Sequence, residues 1–95
     1  MRHAIIFLFL AACGAQPNPE FFGATRADIT RDGRQFTVFY TENRVEVIRL
    51  GYARRGEHQA IRATMIDMIP GVTGCSLVPS TLTGDSGEMR GSISC

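Results

Sequence analysis

The four residues Arg31-Asp32-Gly33-Arg34 constrain the fold of this chain more than any others. Asp-Gly between two alternating runs is the signature of a two-residue hairpin, because a type I′ turn needs positive φ at both central positions. Pairing outward from the turn sets Ile29 opposite Phe36 and Ala27 opposite Val38. The stretch 34–41 alternates Phe36, Val38 and Tyr40 with Thr37, Phe39 and Thr41, so one face is core and the other mixed. A second tight turn at Glu42-Asn43 leads into 44–50, where Tyr40 faces Val45 and Val38 faces Val47. Three strands agree in register, and a slip of one residue would turn every apolar side chain to the wrong face.

Downstream the period changes. Residues 51–56 read as a loop or the start of a helix. Ile61, Met65, Met68 and Ile69 then recur at helical spacing across 57–69, as core filler. Glu57 suits the dipole at the helix start, and Pro70-Gly71 is expected to end the helix. The tail 72–95 folds back around Thr83-Gly84-Asp85-Ser86-Gly87. Pairing symmetrically about Asp85 sets Leu77 opposite Ile93 and Cys75 opposite Cys95. Pro79 predicts an edge or a bulge in the first of these strands. The expected fold is α+β: a small antiparallel sheet in the order β-β-β-α-β-β, one helix packed on one face, and one disulfide.

The N-terminus has a different character. Met1, Arg2 and His3 form a basic head, and 4–10 is an apolar run too short to span a bilayer, the pattern of an export signal. Leu10-Ala11-Ala12-Cys13 resembles the lipobox of bacterial lipoprotein precursors. That resemblance implies a signal peptide 1–12, diacylglyceryl and further acyl (palmitate-type) modification at Cys13, and a mature chain beginning there. Burial of acyl chains contributes ~0.8 kcal/mol per methylene, so two or more chains make a stable anchor. The alternative is an ordinary signal cut after Ala15, which discards Cys13. The absence of aspartate after Cys13 places the protein, by the same resemblance, at the outer membrane facing the periplasm. Residues 13–24 are then a lipidated tether and 25–95 a small disulfide-stapled domain. Phe21 and Phe22 are expected to pack on that domain.

With Cys13 acylated, two cysteines remain in an oxidising compartment, and Cys75 and Cys95 read as one disulfide. Removing 1–12 takes Arg2 with it and leaves nine arginines against nine acids, with no basic excess to draw the domain to nucleic acid. No metal or cofactor is expected: His58 is the one histidine left, and it reads as solvated. Asp85 and Glu88 form a candidate carboxylate pair but sit where solvated loop acids belong. No nucleophile motif appears, so an enzyme is not expected.

The remaining candidates are binding features. Arg49, Arg54, Arg55 and Arg62 gather around the end of the third strand and the helix start, a possible patch for the phosphates or carboxylates of lipopolysaccharide or peptidoglycan. The expected function is that of a membrane-anchored envelope lipoprotein with a non-catalytic binding or structural role. Its partners would be the lipid bilayer, through acylated Cys13, and an envelope protein or glycan. Alternatives are a small periplasmic inhibitor and an accessory subunit docking through Phe39, Ile48 and Leu50.

Overall fold

The computed structural model describes residues 16–95. The expected signal segment 1–12 and the expected lipid-attachment residue Cys13 lie outside those residues.

The element order matches the sequence reading. Strands β1 (Thr25–Arg31), β2 (Arg34–Tyr40) and β3 (Arg44–Leu50) precede helix α1 (His58–Thr73), and β4 (Ser76–Gly84) and β5 (Glu88–Ser94) follow it. All five strands form one antiparallel sheet in the spatial order β1-β2-β3-β5-β4. The first turn is type I′ as its residues dictate, with φ of 55° at Asp32 and 75° at Gly33. Ile29↔Phe36, Ala27↔Val38, Val38↔Val47 and Tyr40↔Val45 are all partners. The core lies on the helix side of the sheet. There Phe36, Val38, Val45, Val47, Met89 and Ile93 meet Ile61, Met65, Met68 and Ile69, every one of them buried.

The helix does not stop at Pro70. It continues to Thr73 and closes on Gly74, whose φ of 74° lets its N–H reach the Pro70 carbonyl at 2.8 Å. Proline removes one backbone donor near the end of a helix. Carrying on for another turn packs Val72 against the core, and the Thr73 hydroxyl bonds the Ile69 carbonyl at 2.8 Å.

At its open end, the second hairpin keeps the register that symmetry about Asp85 demands, with Ser76↔Ser94 and Leu77↔Ile93. Cys75 and Cys95 are bonded just beyond, their Cα atoms 4.5 Å apart. Between Val78 and Thr83 the register shifts, so that Thr83 meets Arg90. Pro79 sits in this bulge on an edge strand, where its missing donor does least harm. The Thr81 hydroxyl fills the gap in the ladder, accepting from the Ser92 N–H at 2.8 Å and donating to the Val78 carbonyl at 2.6 Å. The strand therefore runs on to Gly84, and the turn shrinks to three residues. Gly84 has φ of 102°, and a Cβ there would collide with the Glu88 carbonyl.

The outer face is covered by the chain itself. A short 3-10 turn, Pro19–Phe21, lays Phe21 over Phe39, with Ala24, Ile48 and Leu50 around it. Phe21 is buried while Phe22 is exposed, so one of the two phenylalanines packs. Asn18 clamps the segment: its backbone N–H donates to Glu46 Oε1 at 3.0 Å and its amide to Oε2 at 3.1 Å. Glu20 pairs with Arg44 at 3.1 Å. The stretch read as tether is thus seated on the sheet from Asn18 onward; it buries Phe39 and leaves Ile48 and Leu50 partly exposed.

Candidate functional site

Two groups of chemistry-bearing side chains emerge, one on each side of β3 and β5. The first grows from the end of β3. Arg49 is partner to Phe36, so it shares the core-facing side with Val45 and Val47 and projects towards the helix start. Pairing of β3 with β5 brings the Asp85–Gly87 turn beneath it: Arg49 accepts no ladder partner there but donates its backbone N–H to the Gly87 carbonyl at 2.9 Å. Its guanidinium bonds the Ser86 carbonyl at 2.9 Å and the Ser86 hydroxyl at 3.3 Å. Ser86 is buried, and its hydroxyl also pairs with His58 Nδ1 at the first turn of α1. The Ser86 oxygen has two lone pairs and one proton, so it pairs with the imidazole in either tautomer while accepting from Arg49.

These residues, with Gln59, Arg62 and Asp85, line an open cleft of about 700 Å³. Asp85 Oδ1 accepts the backbone N–H groups of Gly87 at 2.8 Å and Glu88 at 3.2 Å. Those two bonds, and then the charge of Arg49, hold its carboxyl below the usual range. Arg62 is half-buried in the cleft wall and has no hydrogen-bond or ion-pair partner among the described residues.

Of the four arginines picked from sequence, the fold unites Arg49 and Arg62. Arg54 and Arg55 are exposed on the loop before α1 and lie outside the cleft lining. The Arg54 backbone N–H donates to the Glu57 carboxylate at 2.8 Å, and Arg34 pairs with that carboxylate at 2.8 Å. Together they lower the Glu57 pKa. His58 is exposed, as the sequence suggests, but its contact with the buried Ser86 is not legible there. Only the juxtaposition of β5 with β3 makes them neighbours.

The second group lies on the outer face. Glu88 turns towards Glu46 of β3 rather than towards Asp85 as its main carboxylate neighbour. Burial first, then hydrogen bonding to and repulsion by Glu46, push its pKa up to about 7, with Arg90 partly opposing. Arg90 Nε stands 3.3 Å from Glu88 Oε2, an ion-pair distance without hydrogen-bond geometry, since that oxygen is buried and unbonded. Glu46 is 1 % exposed beneath Asn18.

Among the described residues no three His, Cys, Asp or Glu side chains gather in a metal-binding group, and no helix is long and apolar enough to cross a membrane. No family model, curated protein sequence or solved structure matches the chain.

Proposed function

We propose that this chain is a lipid-anchored protein of the bacterial envelope whose folded domain binds an anionic group without catalysis. The observation that carries the binding reading is Arg62: a half-buried residue whose guanidinium has no partner among the described residues, in the same cleft as Arg49 and His58. Partly burying a cation costs free energy unless an anion compensates it. Two guanidiniums lining one cleft beside an imidazole match a phosphate or carboxylate. The lipobox-like Leu10-Ala11-Ala12-Cys13 supports the anchor.

The Ser86–His58 pair supports binding over acyl-transfer chemistry. The backbone N–H groups of Gly87 and Glu88 that follow the serine are both spent on Asp85, so neither is free to stabilise an oxyanion.

Titration of the mature protein with inorganic phosphate, followed by NMR of the arginine Nε–H groups and the Ser86 and Gly87 amides, tests the binding. Saturable millimolar shifts lost in R62Q are expected; no shift at any phosphate concentration reached would overturn the reading. Intact mass of the membrane-extracted protein tests the anchor. The expected value is that of residues 13–95 plus acyl chains, rising by two hydrogens on reduction. A lipid-free chain beginning after Ala15 would refute the anchor.

A further inference from the structure

The cleft is not uniformly cationic. Arg49, Arg62 and His58 share its lining with the carboxylate of Asp85. A methyl group placed on Gly87 would lie 3.3 Å from Asp85 Oδ1 and 4.0 Å from Arg49 Nη2, so the two opposite charges face each other across this glycine. They are nevertheless not in ion-pair contact among the described residues. Arg49 is held back by the Ser86 carbonyl and by the Gly51 carbonyl at 3.4 Å. Asp85 Oδ1 is held by two backbone donors, while Oδ2 accepts no hydrogen bond among the described residues. Fixed backbone partners thus keep the opposite charges apart. A bare anion entering here is drawn by the arginines and opposed by Asp85, which falls well within the screening length of physiological salt.

We propose that the cleft takes a small zwitterion, a primary ammonium joined by a short link to a phosphate or carboxylate, with the oxyanion on Arg49 and Arg62 and the ammonium on Asp85 Oδ2. This rests on the anion-binding reading and adds the second charge. The cleft is open and has room for both charged groups of such a ligand. Two sources share this chemistry, the phosphoethanolamine headgroup of a membrane lipid and a free amino acid.

The test compares inorganic phosphate, phosphoethanolamine, alanine and ethanolamine on the full mature chain in detergent, by the same NMR titration. An exposed ammonium–carboxylate contact contributes up to about 1 kcal/mol, so phosphoethanolamine is expected to bind about fivefold more tightly than phosphate. Ethanolamine alone should not bind measurably. D85N is the decisive variant, because asparagine Oδ1 still accepts the Gly87 and Glu88 N–H groups while the acceptor at Oδ2 becomes a donor. It should erase the fivefold preference and leave phosphate binding equal or stronger. A preference seen with phosphoethanolamine but not alanine assigns the headgroup, and the reverse assigns the amino acid; either supports the proposal. Equal affinity for phosphate and both zwitterions, or a preference that survives D85N, overturns it and leaves anion binding intact. Failure of every ligand removes both.

Discussion

The two charged clusters are built on the same pair of strands and treat charge in opposite ways. On the outer face, Glu46 is sealed under Asn18, and its neighbour Glu88 faces Arg90 at ion-pair distance with one oxygen buried and unbonded, so burial raises its pKa. In the cleft, Arg62 has no partner and Asp85 Oδ2 accepts no hydrogen bond among the described residues. Burial separates them too, for Glu46 is 1 % exposed whereas the cleft is open. On the proposed reading, the difference distinguishes charge used to hold a fold from charge kept for a ligand. Perturbing the outer face should therefore change stability and leave binding alone, and perturbing the cleft should do the reverse.

The largest expected effect is on the outer face. Phe21 is 1 % exposed and seals the second apolar cluster, so F21A should cost about 3 kcal/mol in a urea melt. The cleft amides should keep their chemical shifts. If they move as far as those around Phe39, the two regions are one cooperative unit and the comparison breaks. Next comes the Cys75–Cys95 bond, which closes the hairpin at the end opposite the cleft turn. Opening a loop of this length should cost about 3 kcal/mol on the chain-entropy model. Phosphate affinity measured on the still-folded reduced protein should stay the same.

How far these regions were legible in sequence follows from the range of the contacts that make them. Strands β1 to β3 were readable because Asp32-Gly33 fixes a turn type and period-2 alternation then fixes every partner. Cys75 and Cys95 were readable as a pair because the hairpin containing them is local. The insertion of β5 between β3 and β4 was not, since nothing near Glu88 or Met89 names Ile48 or Val47 as its neighbour. Everything that depends on that insertion was hidden with it: the His58–Ser86 contact, the split of the arginine patch, and the Glu46–Glu88 pair. The passage of the helix through Pro70 was hidden for a related reason, because tertiary packing of Val72 outweighs the local signal. Asn18 on Glu46 is a contact across 28 residues that no local pattern announces.

A smaller effect separates the clusters by pH. Glu88 titrates near 4.5 when unfolded and about 7 when folded, so between those values the native state holds more protons. Stability should be full below pH 4.5 for this group and fall as pH rises through about 7. Its side chain is 35 % exposed, and after solvent screening the loss amounts to about 1 kcal/mol. Glu57 and Asp85 act in the opposite sense. Their lowered values contribute stability above the normal carboxylate range that is lost in acid. E88Q should flatten the decline between pH 5 and 8 in thermal melts; an unchanged slope would show that the outer pair is not its source.

The smallest expected change in stability belongs to Arg62, and it tests the comparison most sharply. A guanidinium that held the fold together would leave an orphaned acid behind when removed, at a cost of 1 kcal/mol or more, on the order of a lost charged hydrogen bond. Arg62 leaves none, because it has no internal partner among the described residues. R62Q should shift the urea midpoint by less than about 0.5 kcal/mol, the usual range for surface substitutions, or raise stability slightly by removing an uncompensated charge. The same change should abolish phosphate binding. Loss of both properties together would mean that Arg62 supports the fold, and the cleft would then be a second structural cluster like the first. Loss of binding alone would establish that the chain carries this cation for a ligand.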